Sequence, residues 1–335
     1  MGNKRVALWD NLKFILIILV VVGHFINIRN SVTYHSIFIF IYSVHMPLFI
    51  FLAGLFHKNK GIWKKAVAFL VIYILYELSI YGIKRAFGVK AGIDMLHENS
   101  APWFMLVMVY CIILGFLLHK LMEHKVWKWV VVSVFFAFGC FAGYITDIGG
   151  FLSLSKATSF IPFYFLGMAL DRKKLEALAE NKKLKISGVA VVAIWLIICL
   201  IFMKTVYQTR PYFVAREGFP ETADLAFIWK LQCYLCSCVI GFFLIMATPT
   251  RDIKVITTWG SRTIQVYFWH KLVLYVFKYT DLDKWFYDGG VHKTLWIIVA
   301  VATTCLLSFK VFKFPTGFIM DLTRQKSDSK AKKKA

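Results

Sequence analysis

Apolar stretches long enough to cross a lipid bilayer follow one another along almost the whole chain. A membrane-spanning helix needs roughly 17–25 mainly apolar residues. About ten such runs alternate with short polar connections, and the sixth is short enough to need flanking residues. They cover residues 12–28, 36–56, 66–83, 103–119, 126–145, 157–170, 186–203, 225–247, 263–279 and 294–314. The sequence therefore predicts an all-α polytopic integral membrane bundle of about ten transmembrane helices.

The amount of apolar surface excludes a soluble protein. Hydrophobic residues make up 59% of the 335 residues, and the mean hydropathy is +0.65. A soluble domain of this length would have to expose much of that surface to water, whereas a bilayer solvates it. Because no polar stretch is long enough for a separate domain, we expect one transmembrane domain over residues 1–320 and a basic cytoplasmic tail over residues 321–335.

The distribution of basic residues predicts the orientation. Cytoplasmic loops of membrane proteins carry an excess of lysine and arginine. If the N-terminus is inside, most basic residues fall in the connections on that side, and acidic residues offset those in the longer outer connections, 84–102 and 204–224. We therefore expect both termini in the cytoplasm and a multi-pass protein of the cell membrane. The net charge of +22 is dispersed between apolar runs, so nucleic acid is not an expected partner.

Titratable side chains inside the apolar runs are candidates for function, because a charged group in hydrocarbon is costly. Most of the seven cysteines are also in these runs, but no other ligands converge on them, so we expect neither a metal site nor a disulfide framework. The titratable residues in the runs are Lys13, His24, His45, Glu77, Lys230, His270, Lys271 and Lys310.

Lys13 and His24 are placed on one face of the first helix. Eleven steps of about 100° return to within roughly 20° of the start, and the rise between the two residues is about 16 Å. Asp10 precedes Lys13 by three residues and shares much of that face. The first helix is thus expected to carry a cation near the cytoplasmic surface and an imidazole deeper in the membrane.

Helix rise also predicts the depth of the other candidates. His45 and Glu77 each lie about eleven residues from the inner end of their run, which is about 16 Å deep and level with His24. His270 is expected to be shallower, about 10 Å from the inner face. Pro47 is expected to kink the second helix or open its hydrogen-bond ladder. A structural explanation stays open, since a membrane histidine often only bonds a neighbouring helix and a buried carboxyl can be protonated or paired.

Five motifs occur in series along the chain. They are LWDNLK over residues 8–13 followed after ten residues by His24, YSVHMPLFIFLAG over 42–54, WFML over 103–106, PFYFLG over 162–167 and GSRTIQVYFWH over 260–270. Together they resemble the acyltransferase family 3 membrane proteins, and the second motif resembles the fucose 4-O-acetylase-like branch. Lys13 replaces the arginine common in other branches, and only lysines, at a different spacing, represent the arginine pair expected after the second run.

The resemblance implies a membrane O-acyltransferase. It implies transfer of an acyl group, usually acetyl from acetyl-CoA, from cytoplasmic acyl-CoA to a sugar hydroxyl of a surface polysaccharide or lipid-linked glycan. A neutral histidine suits proton removal from that hydroxyl, so His24 is the candidate base or acylated nucleophile, with His45 or Glu77 orienting it. A cationic surface suits the polyanionic donor. The candidates for donor binding are Lys13, Lys58, Lys60, Lys64 and Lys65, and the supporting candidates are Asp10, Trp103 and His270.

Two other functions remain open from the sequence. A flippase or transporter of a lipid-linked glycan also has polar groups at mid-membrane. It is less favoured, because no inverted repeat and no matched pair of broken helices is visible. A glycan polymerase would be expected to have long outer loops rich in arginine, and the outer connections here are modest.

Overall fold

Helices make up nearly all of the part of the chain that the computed structural model describes, which is residues 6–26, 31–97, 100–146, 149–216, 218–219, 225–286 and 289–323. Most of the predicted basic tail lies outside these described residues. The helices are α1 Ala7–Ile26, α2 Val32–Tyr42, α3 His45–Leu55, α4 Ile62–Ala86, α5 Trp103–Leu117, α6 His119–Glu123, α7 Trp127–Phe141, α8 Leu154–Ala169, α9 Arg172–Ala179, α10 Lys182–Ile201, α11 Met203–Val206, α12 Arg210–Val214, α13 Ala226–Ala247, α14 Lys254–Gly260, α15 Thr263–Tyr279 and α16 Gly290–Leu307.

The helical membrane bundle is confirmed, and each predicted apolar run overlaps at least one helix. Within the described residues, seven helices are long and apolar enough to cross a membrane, with α2 and α3 counted as one. The remaining three runs correspond to α5, α8 and α15, which have 15, 16 and 17 residues. The number of spans and the cytoplasmic position of both termini stay predictions.

The second apolar run is broken into α2 and α3, as expected from Pro47. Proline has no N–H, so the carbonyl of Ser43, four residues earlier, receives no helical hydrogen bond from it. The Ser237 hydroxyl on α13 donates to that carbonyl instead, over 2.6 Å. His45 Nδ1 lies 2.7 Å from the carbonyl oxygen of Ile41. These bonds satisfy the backbone of the break and fix His45 as the first residue of α3.

Two motif glycines hold α3 against α8. A Cβ at Gly54 would collide with the backbone oxygen of Tyr164, and a Cβ at Gly167 would collide with the backbone oxygen of Phe51. Small residues allow such close backbone approach between membrane helices. The second and fourth motifs of the sequence therefore meet at one helix crossing, which positions α3 and the histidine at its start.

The start of α1 is fixed by the segment that precedes α15. A Cβ at Gly260 would overlap the backbone oxygen of Asp10. The side-chain amide of Asn11 donates to the carbonyls of Pro249 and Arg251, over 2.8 and 2.9 Å. The first and fifth motifs are thus in direct contact, and they bring α1 and α15 side by side.

Candidate active site

Two cavities follow one another along the bundle axis between α1, α3 and α15. We call the one beside the first turns of α1 the N-terminal cavity and the other the distal cavity. Along α1, Lys13 lines the N-terminal cavity and His24 lines the distal one. Met46 of α3 and Tyr267 of α15 line both cavities, so the two spaces adjoin at these side chains.

The N-terminal cavity is apolar. Its volume is about 230 Å³, and most of its wall consists of side chains such as Phe49, Leu52 and Phe104. Lys13 is the one charged side chain among the described residues that line it. Lys13 Nζ lies 2.7 Å from Asp10 Oδ1, so the two residues form an ion pair at the start of α1.

The distal cavity is rich in cations and aromatic rings. Its volume is about 160 Å³, and His24 and His45 are part of its wall. Trp103 lies in the same wall, with its ring stacked on Phe160 at 5.4 Å between centroids. Its cationic lining residues, besides the histidines, are Lys156, Arg210, Arg216 and Lys271.

Two histidines line the distal cavity, and a third, His270, packs against one of them. The ring centroids of His24 and His270 are 5.0 Å apart. His45 Nδ1 and His270 Nδ1 each lie 2.7 Å from a backbone carbonyl, that of Ile41 and that of Tyr267. A carbonyl only accepts, so in both neutral rings Nδ1 carries the proton and Nε2 keeps its lone pair. His270 Nε2 is buried and has no hydrogen-bond partner among the described residues.

The His270 ring lies beside the His24 ring, although helix rise predicted that His270 is shallower. The 5.0 Å between the two ring centroids brings this supporting candidate next to the candidate base. Because Gly260 of α14 packs on the backbone of Asp10, the segment before α15 is held against α1. The depth of each histidine in the membrane stays a prediction.

Glu77 is not among the residues that line the distal cavity with His24 and His45. It is buried on α4 and acts electrostatically on Tyr76 and on Tyr275, which does line that cavity. The Tyr76 hydroxyl donates to a carbonyl of α15 over 2.8 Å, so α4 packs on α15. The predicted role of Glu77 in orienting His24 stays a prediction.

The loop lysines lie beyond the N-terminal cavity. They follow Phe56, a residue of the cavity wall, and are not part of either wall. Lys65 is half-buried, and its ammonium donates to the carbonyl of Lys58 over 3.1 Å. The exposed members of the group are Lys58, Lys60 and Lys64.

His57 anchors this lysine loop to the bundle. Its Nδ1 lies 2.6 Å from the Tyr164 hydroxyl, and its Nε2 lies 2.8 Å from Asn59 Oδ1. Burial lowers the pKa of His57 below its ordinary value, and the nearby charge of Lys65 acts in the same direction. The ring is therefore neutral at physiological pH.

Three cations of the distal cavity were not found from the sequence. Lys156 immediately precedes the sixth apolar run, and Arg210 and Arg216 lie in a predicted outer connection, so none was counted as intramembrane. One signal could have found the two arginines. Basic residues are depleted in outer connections, so their presence there needs an explanation.

Comparison with known proteins decides the family. The model of acyltransferase family 3, described as an acyltransferase domain, matches residues 6–312. The chain belongs to this family. The acyltransferase matches no curated protein and no solved structure. Both cavities lie entirely within the matched residues, so they are features of its acyltransferase domain.

Proposed function

We propose that this acyltransferase transfers an acetyl group from cytoplasmic acetyl-CoA to a sugar hydroxyl of a cell-surface polysaccharide or lipid-linked glycan in the cell membrane. The observation that carries the proposal is the pair of adjoining cavities with unlike walls, one apolar and one polar, with His24 in the second. A donor arm and an acceptor sugar can enter such a pair from opposite ends and meet near Met46 and Tyr267.

The N-terminal cavity suits the donor. The pantetheine arm of acetyl-CoA is slender and largely uncharged, and its phosphates carry several negative charges. The arm fits an apolar cavity, while Lys13 and the lysine loop supply positive charge where the phosphates remain outside. The helix rise of about 16 Å from Lys13 to His24 then brings the thioester toward the distal cavity.

His24 is the group that we assign to the proton transfer. A sugar hydroxyl becomes nucleophilic as a base takes its proton, and neutral imidazole is suited to that at physiological pH. As the hydroxyl oxygen attacks the thioester carbonyl, its proton passes to His24. The new C–O bond forms, the C–S bond breaks, and the departing thiolate of CoA takes the proton from the imidazolium. A covalent route, in which His24 first accepts the acetyl group, also begins from neutral imidazole.

The histidine neighbours have supporting roles in this proposal. The His270 ring packs beside His24, with its own Nδ1–H held by a carbonyl. His45 is held in the same way at the start of α3. Fixed tautomers preserve the proton acceptors at the site. Glu77, which is buried on α4, is assigned to the support of α15.

Transfer by the purified protein tests the proposal. The protein is placed in lipid vesicles with acetyl-labelled acetyl-CoA and a lipid-linked glycan extract from cells that lack it. We expect label in the glycan and release of free CoA. A flippase would move the glycan across the vesicle without consuming acetyl-CoA, and that result would overturn the proposal. Surface glycan from the deletion strain is expected to lose O-acetyl groups relative to the parent strain.

A further inference from the structure

The distal cavity concentrates positive charge. Its four cations come from separate segments: Lys156 from α8, Arg210 from α12, Arg216 from just beyond α12, and Lys271 from α15. Among the described residues that line the cavity, none is aspartate or glutamate. Four segments of the chain thus converge to place like charges around one small space.

A cluster of like charges around one space suits an anionic ligand. Lys156 acts electrostatically on Lys271, and both act on His24. The excess of basic residues in cytoplasmic loops does not explain the cluster either. Arg210 and Arg216 lie in a predicted outer connection, where basic residues are depleted. Clefts lined by one sign of charge raise the local concentration of an oppositely charged ligand.

The aromatic side chains of the wall indicate what else the ligand contains. Lys156 Nζ lies 4.6 Å from the centroid of the Trp103 ring, which itself stacks on Phe160. Aromatic faces beside cations suit a ligand with both a ring and a negative group. The volume of about 160 Å³ is below the range of about 300–1,000 Å³ typical of pockets for drug-sized ligands, so the space suits about one sugar residue.

We propose that the acceptor is a phosphorylated sugar, a glycosyl phosphate or diphosphate, held in the distal cavity by the cations that surround His24. Arginine forks bind phosphate oxygens in pairs. The phosphate is bound on the side of Arg210 and Arg216, and a sugar hydroxyl faces His24. This inference rests on the proposed acyl transfer and names the class of its acceptor.

The phosphates of acyl-CoA are the other source of the same chemistry. The proposed donor route places them beside Lys13 and the lysine loop, on the far side of Met46 and Tyr267 from this cluster. Phosphate binding at the distal cavity and acetyl-CoA binding are therefore expected to be independent, and this independence can be measured.

The test compares matched ligands on the purified protein in nanodiscs. Glucose 1-phosphate, methyl glucoside and inorganic pyrophosphate are titrated against the parent protein, Arg216→Gln, and the double variant Arg210→Gln with Arg216→Gln. Lys204→Gln removes an exposed cation of α11 outside the cavity and is the matched control. Acetyl-CoA affinity and acetyl-CoA consumption are measured for each protein, and thermal unfolding checks the fold.

We expect pyrophosphate to bind, and glucose 1-phosphate to bind at least about tenfold more tightly than methyl glucoside, because charge-assisted hydrogen bonds are roughly twice as strong as neutral ones. Arg216→Gln is expected to weaken both anions severalfold and the double variant about tenfold or more, with Lys204→Gln near the parent. If the double variant misfolds, Arg216→Gln alone still tests the assignment, because it changes an exposed side chain.

Three results would overturn the assignment: no pyrophosphate binding at low salt, equal binding of glucose 1-phosphate and methyl glucoside, or competition between pyrophosphate and acetyl-CoA with loss of acetyl-CoA affinity in the arginine variants. The last would assign the cluster to the donor's phosphates. Failure of the proposed function is distinct, because it would appear as an absence of acetyl-CoA binding and consumption in the parent protein, whichever anion binds.

Discussion

The N-terminal cavity and the distal cavity share three helices, α1, α3 and α15, but differ in the chemistry of their walls. In the first, one cation, Lys13, faces an apolar wall; in the second, two histidines and four cations lie among aromatic rings. A few turns along the same helices therefore separate a space for a slender uncharged arm from a space for a charged ring. Substitutions in one cavity should leave binding in the other unchanged.

His24→Gln gives the largest effect and acts on the distal cavity alone. Glutamine keeps hydrogen bonding but cannot take up a proton at neutral pH, so transfer is expected to fall about 10²–10⁴-fold, the usual worth of general acid–base catalysis. The measurement is the rate of acetyl transfer at saturating donor. Acetyl-CoA affinity is expected to stay within about twofold, because the donor's charges are bound elsewhere.

The matched control for His24→Gln is His292→Gln, in which a half-buried histidine at the start of α16, outside both cavity walls, is replaced. It is expected to transfer at the parent rate. If His24→Gln retained near-normal transfer, the base or nucleophile would be another residue, and His45 would be the next candidate.

Ala53→Trp is the corresponding change in the N-terminal cavity. The indole fills space that the proposal gives to the pantetheine arm. The affinity for acetyl-CoA is expected to fall about 10–100-fold, because apolar surface of the arm that is no longer buried costs about 25 cal/mol per Å². Equilibrium binding of labelled acetyl-CoA measures it. Ala53→Ser, which keeps the volume, is the control. Normal acetyl-CoA affinity in folded Ala53→Trp would place the donor elsewhere.

Lys13→Ala should have a smaller effect on the same cavity. It removes the cation expected to meet a donor phosphate, but the ion pair with Asp10 already offsets part of that charge. We expect the KM for acetyl-CoA to rise about tenfold, consistent with roughly 1.5–3 kcal/mol for a hydrogen bond to a charged group. Lys13→Arg is expected to recover most of the affinity. An unchanged KM in Lys13→Ala would remove Lys13 from donor binding.

The exposed lysines of the loop should have the smallest effect. Replacing Lys58, Lys60 and Lys64 together by glutamine is expected to raise the KM for acetyl-CoA by no more than about threefold. The rise should disappear in high salt, because the field of exposed charges is screened beyond about 8–10 Å. A loss that persists in high salt would instead indicate direct contact between these side chains and the donor.

The sequence predicted features that follow from the periodicity of a single helix, and it did not predict contacts between helices. Composition and run length were enough for the membrane bundle, and spacing put Lys13 and His24 on one helix face. The contact of His24 with His270 joins residues far apart in the chain and depends on the packing of Gly260 against Asp10. No periodicity within one run contains that information.

The motif residues were easier to recognise than to explain. Gly54 and Gly167 were found as parts of separate motifs. Only the fold shows that each glycine packs against the backbone of the helix that carries the other. Pro47 was correctly expected to interrupt its helix. The hydrogen bond from the Ser237 hydroxyl of α13 to the Ser43 carbonyl at this interruption could not be predicted, because it requires that α3 and α13 are neighbours.

The contacts of Asn11 have a consequence for biosynthesis. Its amide bonds the carbonyl of Pro249, 238 positions later, and accepts from Thr257, 246 positions later. At about 5–20 residues per second, roughly 12–50 s pass between synthesis of the first helix and of its partners. The first helix is therefore without these hydrogen-bond partners for most of translation. A crosslink between cysteines placed at positions 11 and 257 should appear only in nascent chains that have released α14 from the ribosome, and an early crosslink to another segment would reveal a temporary partner.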